Sequence, residues 1–252
     1  MAILEPKLEV IKRQKVQPTE GEWKLLNFFL ENLDDTYEIY YQPFLNGDNP
    51  DFVIMRKGSG VLIIEVKDWN LDHYYCDERT KWRLYKNEAF IKSPLKQVEA
   101  YKENLFQLHS KELYQRRTKN KNSWATVSCA VYFHKSTENE LKSFLLAGFK
   151  DDKYNGYNKF VSYFGLLGNN SLNINSLNNL LSRFWLNKKS YYFDETLYKS
   201  IKRYLKSPLH QIEEGLKINY TKEQRELIRS EVRPRRKIKG VAGSGKTLVL
   251  AK

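Results

Sequence analysis

The segment Val61-Leu62-Ile63-Ile64-Glu65-Val66-Lys67 constrains the fold of this chain more than any other. Side chains alternate between the two faces of a strand, and here both faces are apolar until Glu65 and Lys67. Such a strand belongs in the middle of a sheet covered on both sides, so the fold class is α/β, a mixed central sheet flanked by helices. Asp51–Arg56 reads as its antiparallel partner across Lys57-Gly58-Ser59-Gly60, which has the composition of a hairpin turn. A turn cluster, Asn46-Gly47-Asp48-Asn49-Pro50, precedes it.

The register of that hairpin decides whether three polar residues meet. Glu65 and Lys67 are two apart on a strand and leave the same face. A three-residue loop Gly58-Ser59-Gly60 pairs Asp51 with Lys67, whereas a three-residue loop Lys57-Gly58-Ser59 pairs Asp51 with Glu65. A two-residue Gly58-Ser59 loop turns Asp51 to the opposite face unless a bulge intervenes. A three-residue turn or a bulge is therefore predicted.

Two carboxylates and a lysine at a strand end suit a hard divalent cation, Mg²⁺ or Mn²⁺, which keeps several waters of its own. Bound there, the ion activates a water and offsets charge on a phosphate, and the lysine orients the nucleophile or stabilises the transition state. An isolated Glu-x-Lys is more often an exposed strand end making a surface ion pair. The strongly apolar strands that these acids terminate favour the site.

Around this hairpin the chain alternates helix and strand. Residues 17–33 read as a helix, with capping-box spacing at Thr19 and Glu22 and an apolar stripe of Trp23, Leu26, Phe29, Leu30 and Leu33. Tyr37–Phe44 is a predicted strand, and Trp82–Leu84 with Ala89–Ile91 a predicted second hairpin. Ser93-Pro94 opens a helix whose buried stripe is Leu95, Val98, Tyr101, Leu105 and Leu108. The basic stretch Lys111–Lys121 follows, then a strand at Ala125–Phe133. Short helices are predicted at Asn175–Trp185 and Asp194–Leu205.

A formal net charge of +13 and a pI near 9.5 point to a polyanionic partner, most simply nucleic acid. Arg116, Arg117 and Lys119 are the candidate phosphate contacts, with Tyr101 a contact or a packing residue. Cys76 and Cys129, the 2 cysteines, have neither disulfide-framework nor zinc spacing. No apolar run has signal-peptide or membrane-spanning length, so a soluble, cytoplasmic protein is expected. Homo-oligomerisation is left open.

Asn49-Pro50-Asp51 followed by Glu65-Val66-Lys67 resembles the signature of PD-(D/E)xK nucleases. Gln97 and Tyr101 match the Q-x-x-x-Y pattern of their RecB-like branch. Gly21-Glu22 and Pro94 look like the nuclease-related domain called NERD, and the resemblance covers roughly residues 15–135. It implies a restriction-endonuclease-like core in which Asp51, Glu65 and the Val66 carbonyl hold the metal. It also implies that Lys67 is the catalytic lysine and that Gln97 orients the site or touches the substrate backbone. Glu22 is either a further carboxylate or simply the reciprocal cap of Thr19.

Gly240-Val241-Ala242-Gly243-Ser244-Gly245-Lys246-Thr247 fits the phosphate-loop pattern G-x-x-x-x-G-K-[ST]. Gly243 and Gly245 would let the backbone close on phosphates, Lys246 would reach the β/γ oxygens and Thr247 would bind Mg²⁺. Asn219–Arg225 resembles the adenine-reading motif of superfamily 1 helicases, with Gln224 as the reader. The organisation expected is a nuclease-like domain over 1–135, a mainly helical extension or linker over 136–212, and the truncated start of a helicase ATPase over 213–252. The chain then reads as the N-terminal part of a longer nuclease–helicase fusion, whose full length would use ATP. It would hydrolyse phosphodiester bonds of DNA in processing, repair or defence against foreign DNA. The alternative is a catalytically silent nucleic-acid-binding module that positions a helicase motor.

Overall fold

The two apolar faces of one central strand organise the structure. The computed structural model describes residues 1–45, 47–77, 81–147 and 155–205. In chain order it opens with β1 (Ile3–Glu5), α1 (Leu8–Ile11), α2 (Glu20–Asn32), β2 (Tyr37–Tyr41), β3 (Phe52–Arg56) and β4 (Gly60–Lys67). Next come β5 (Tyr74–Cys76), β6 (Trp82–Leu84), β7 (Phe90–Ile91), α3 (Pro94–Asn104), α4 (Lys111–Lys119) and β8 (Val127–Phe133). The last elements are α5 (Glu138–Leu146), α6 (Asn155–Val161), β9 (Phe164–Gly168), α7 (Ile174–Arg183) and α8 (Glu195–Leu205).

The main sheet has 6 strands in the order β1-β2-β3-β4-β8-β9. β2, β3 and β4 pair antiparallel, while β1 joins β2, and β8 joins β4 and β9, in parallel. It is thus a mixed sheet flanked by helices. Leu62 and Ile64 face Leu25, Leu26 and Phe29 of α2, together with Leu177, Leu180 and Leu181 of α7. Val61 and Ile63 face Leu95 and Val98 of α3, Leu141 of α5 and Ile201 of α8. Leu62, Ile63 and Ile64 are all 0% exposed. Each such side chain contributes on the order of 2 kcal/mol relative to exposure.

The β3–β4 pair has Arg56 opposite Gly60 and Phe52 opposite Ile64. The turn is therefore Lys57-Gly58-Ser59, the second of the registers considered above. Gly58 takes φ +74, which costs glycine nothing and most side chains strain. β2 stops at Tyr41, short of the predicted Phe44, where Gln42 turns to a φ of 44.

Several expectations are corrected. Leu108 is 72% exposed, not buried. After α3 the chain makes a π turn over Leu105–His109, whose wider spiral rotates Leu108 off the apolar stripe. β1, β5 and β9 were not foreseen, nor were α1, α5 and α6. Among the described residues after 135, four helices accompany a single strand, β9, which completes one edge of the sheet, and α7 and α8 cover its opposite faces. The basic stretch Lys111–Lys119 is helix α4, and β8 begins at Val127 after a 3-10 turn, Lys121–Thr126.

Cys76 and Cys129 are both free. Among the described residues, no helix is long and apolar enough to cross a membrane. The glutamine Gln224 and the phosphate-loop residues Gly243, Gly245, Lys246 and Thr247 lie outside the described residues.

Candidate active site

β3 and β4 carry Asp51, Glu65 and Lys67 to one end of the sheet. The register that sets Phe52 opposite Ile64 brings Asp51 opposite Glu65, on the face that α3 covers. Asp51 lies one residue before β3, so the β4 backbone has lost its ladder partner there. The Asp51 side chain takes that place, its Oδ2 accepting from the Val66 N–H at 2.7 Å. The Val66 carbonyl points to the same edge, because the N–H and C=O of a strand residue share a side.

Glu65 is 3% exposed, and its two oxygens differ. Oε1 accepts from Lys67 Nζ at 2.5 Å and from Gln97 Nε2 at 2.7 Å. Oε2 is buried and has no partner. Burial raises the Glu65 carboxyl above its ordinary range against the lowering charge of Lys67. Burial also raises Asp51, and the negative charge of Glu65 raises it further. Two buried carboxylates thus share one ammonium, Lys67, and one of their oxygens has no partner.

Gln97 stands in the first turn of α3, which Pro94 opens at the first helical position. Its amide also donates to the Tyr101 hydroxyl at 2.8 Å, one helical turn on. Tyr101 is 8% exposed, with its ring in the core under β3 and β4, and burial pushes its phenol up to about 12. It therefore holds Gln97 as a protonated donor-acceptor, and offers little surface to nucleic acid.

Glu22 comes from the other side of the sheet. Its Oε2 accepts from the Thr19 N–H at 2.6 Å and the Tyr41 hydroxyl at 3.3 Å, and its Oε1 from Gln42 Nε2 at 3.2 Å. The capping box is complete. Both oxygens are engaged, and Glu22 reaches Asp51 and Glu65 only through its charge. Among the described residues, no three His, Cys, Asp or Glu side chains converge as a metal cluster. The donors present are the Asp51 and Glu65 carboxylates. Mg²⁺ is commonly held by one or two carboxylates with waters and substrate phosphate completing its shell, and this pair fits that pattern.

The basic residues are not brought to this end. Phe133 of β8 lies beside Lys67, and Val127 beside Val61. At ~3.3 Å per residue those two ends are roughly 20 Å apart. Arg117 stacks over Trp124, at the Val127 end, at 4.2 Å from the ring centroid. Arg116 pairs with Asp194 at 2.7 Å, and Lys119 is exposed at the end of α4.

Three neighbours of the site were missed. Asp68 follows Lys67, and alternation turns it toward α2, where it accepts from the Gly21 N–H at 3.1 Å. His134 donates its backbone N–H to the Lys67 carbonyl at 3.0 Å, and its ring approaches Glu20 Oε1 at 3.3 Å. Trp69 lies under the Lys67 ammonium, 5.2 Å from Nζ to its ring centroid. Alternation from Glu65 through Lys67 to Trp69 was the available signal.

Gly21 is explained by the same packing. A Cβ there would lie 2.2 Å from Asp68 Oδ1 and 2.8 Å from His134 Cβ. Gly21→Ala should gain ~1 kcal/mol of helix propensity and lose roughly 1–3 kcal/mol to overpacking. The expected net result is a Tm lower by a few degrees in thermal denaturation. A raised Tm would show that Asp68 yields freely.

No curated protein and no solved structure matches this chain. A nuclease-related domain, NERD, is present at residues 17–134, where the model of that family matches.

Proposed function

We propose that this chain is a metal-dependent deoxyribonuclease of the PD-(D/E)xK type, with Asp51, Glu65 and Lys67 at its centre on a restriction-endonuclease-like core. The observation that carries the reading is the buried, partnerless Glu65 Oε2 facing a site that also holds the raised Asp51 carboxyl. That is what a carboxylate pair built around a cation looks like when only protein atoms are counted. Asp51, Glu65 and the Val66 carbonyl would hold Mg²⁺ or Mn²⁺. The ion would lower the pKa of a water and offset charge on the scissile phosphate.

The remaining work belongs to the chain itself. Gln97 and Lys67 both hold Glu65 Oε1, which fixes the carboxylate and directs Oε2 away from them. The ammonium of Lys67 has three N–H groups and spends one on Glu65, so others can orient a water or a phosphoryl oxygen. Glu22 anchors Gln42 and Tyr41 behind Asp51, which keeps the acidic end of the sheet in register. In the wider reading, this part precedes a helicase motor that would bind ATP through Gln224, Gly243, Gly245, Lys246 and Thr247. Arg116, Arg117 and Lys119 would then touch DNA away from the acids.

Linear, nicked and single-stranded DNA incubated with the chain and Mg²⁺ or Mn²⁺ should be cleaved, and EDTA should stop the reaction. Cleavage that persists in EDTA, or in Asp51→Ala protein at the wild-type rate, would overturn the proposal.

A further inference from the structure

Beside the acid–lysine cluster lies a cavity of about 500 Å³ whose walls are of a different character. Two chains of contact place it there. Trp69, which carries the Lys67 ammonium on its ring, stacks on Tyr74 with centroids 4.9 Å apart and planes 13° from parallel. Tyr74 lines the cavity. On the other side, His134 bonds to the Lys67 carbonyl, and the next two residues, Lys135 and Ser136, also line it. The cavity therefore begins two stacked aromatic rings away from the lysine.

Its apolar walls are the rings of Tyr74, Tyr85 and Phe144. Tyr85 comes from the turn between β6 and β7, is 64% exposed, and is braced by Tyr75 at 4.9 Å. Phe144 is braced by Trp82 at 4.6 Å. The small sheet β5–β6–β7 thus contributes Tyr74 and Tyr85, and helix α5 contributes Phe144, each ring braced by a neighbouring aromatic. Polar groups lie between them. Asn70 spends its Oδ1 on the Asp72 N–H at 3.0 Å, which leaves its amide N–H groups for a ligand.

The charge balance argues for a base over a phosphate. Asp72 and Glu140 line the cavity with only Lys135 against them, in a chain whose net charge is +13. Glu140 Oε2 accepts from the Thr137 N–H at 2.7 Å. Carboxylates repel a phosphodiester and accept from ring and amino N–H groups, while flat rings stack on any base.

We propose that this cavity receives an unpaired nucleobase flanking the scissile phosphate, so that the site prefers single-stranded or locally opened nucleic acid. The proposal deepens the nuclease reading and rests on it for the identity of the ligand. Its test is a binding measurement in EDTA, separate from cleavage. A labelled single-stranded deoxyoligonucleotide is compared with versions in which each base in turn is replaced by an abasic site, using fluorescence anisotropy and the full chain.

One position should weaken binding about tenfold, the usual scale of a lost base stack, while the others change little. In Tyr85→Ala protein the intact strand should bind as weakly as the abasic one, and the penalty at that position should vanish. Tyr85 is exposed, so this change leaves the core intact; circular dichroism checks that it does. Equal penalties at all positions, a penalty that survives Tyr85→Ala, or no binding of the strand overturns the proposal. Metal-dependent cleavage without any base-sensitive position would remove the cavity and leave the nuclease reading standing. Base-sensitive binding without cleavage would do the reverse.

Discussion

Lys67→Ala should lower the rate of DNA cleavage by about 10²–10³-fold, the usual cost of removing one preorganised donor from a reacting centre. The structure gives two routes to that loss. The first is direct, because the ammonium is the cation nearest Glu65, at 2.5 Å from Oε1. The second runs through Glu65, whose carboxyl is already raised by burial and is held down chiefly by the charge of Lys67. Without that charge Glu65 should hold its proton to higher pH, and a protonated acid is a poor ligand for a hard cation. The two routes separate in the pH profile. If the second matters, the deficit should shrink as pH rises and more Glu65 ionises.

Gln97→Ala removes an uncharged donor from the same oxygen and should cost less, about tenfold. A Lys67→Ala enzyme within threefold of wild type at neutral pH would remove the lysine from the chemistry, in roughly the range where ordinary surface ion pairs fall.

The second large effect is on stability and needs no substrate. Asp51 and Glu65 are both raised in the folded chain, by burial first and, for Asp51, by Glu65 next. The folded state therefore binds more protons than the unfolded state above the ordinary carboxylate pKa of about 4. Stability then falls as pH rises through that range toward the raised values, the opposite of a salt-bridged carboxylate. Mg²⁺ or Mn²⁺ should reverse the trend, since it binds the ionised pair. At a concentration about 100 times its Kd it would add about 2.7 kcal/mol. For a chain of this size that corresponds to a rise of roughly 5–10 °C in Tm.

Differential scanning fluorimetry at pH 5 and pH 8, with EDTA or Mg²⁺, reads both effects. Asp51→Asn isolates them from the other titrating groups. It should raise the metal-free Tm at pH 8 and abolish the response to Mg²⁺. An equal response in wild type and Asp51→Asn would mean that the cation binds elsewhere.

Much of this site could be read before any coordinates. The continuous apolar run Val61–Ile64 is enough to require a sheet covered on both faces, and the Lys57–Gly60 turn narrows the position of Asp51 to a few registers. Helical spacing places Gln97 and Tyr101 on one face of α3. What stayed hidden depended on partners distant in sequence. Asp68 has no recognisable pattern until the N-terminus of α2 arrives beside it. β9, with the sequence Phe-Gly-Leu-Leu-Gly, has too short an apolar run to distinguish strand from buried helix, and only β8 settles it. Leu108 fits the helical stripe perfectly well, and is displaced by a single wide turn that no local propensity announces. The basic helix α4 follows α3 directly in sequence, yet Arg117 lies at the far end of the sheet from the acids, a placement that sequence order does not reveal.

The order of the main sheet has a practical consequence for anyone who isolates the nuclease-related segment. Residues 17–134 contain β2, β3, β4 and β8, the four inner strands, while β1 and β9 on the two flanks come from outside the match. A fragment cut at those limits would convert β2 and β8 into open borders, each with an unpaired row of backbone N–H and C=O groups. Ala130 and Tyr132 of β8 would also lose the cover of α7. Such a piece would recruit strands from its neighbours in solution, so the self-sufficient unit is longer than the matched segment.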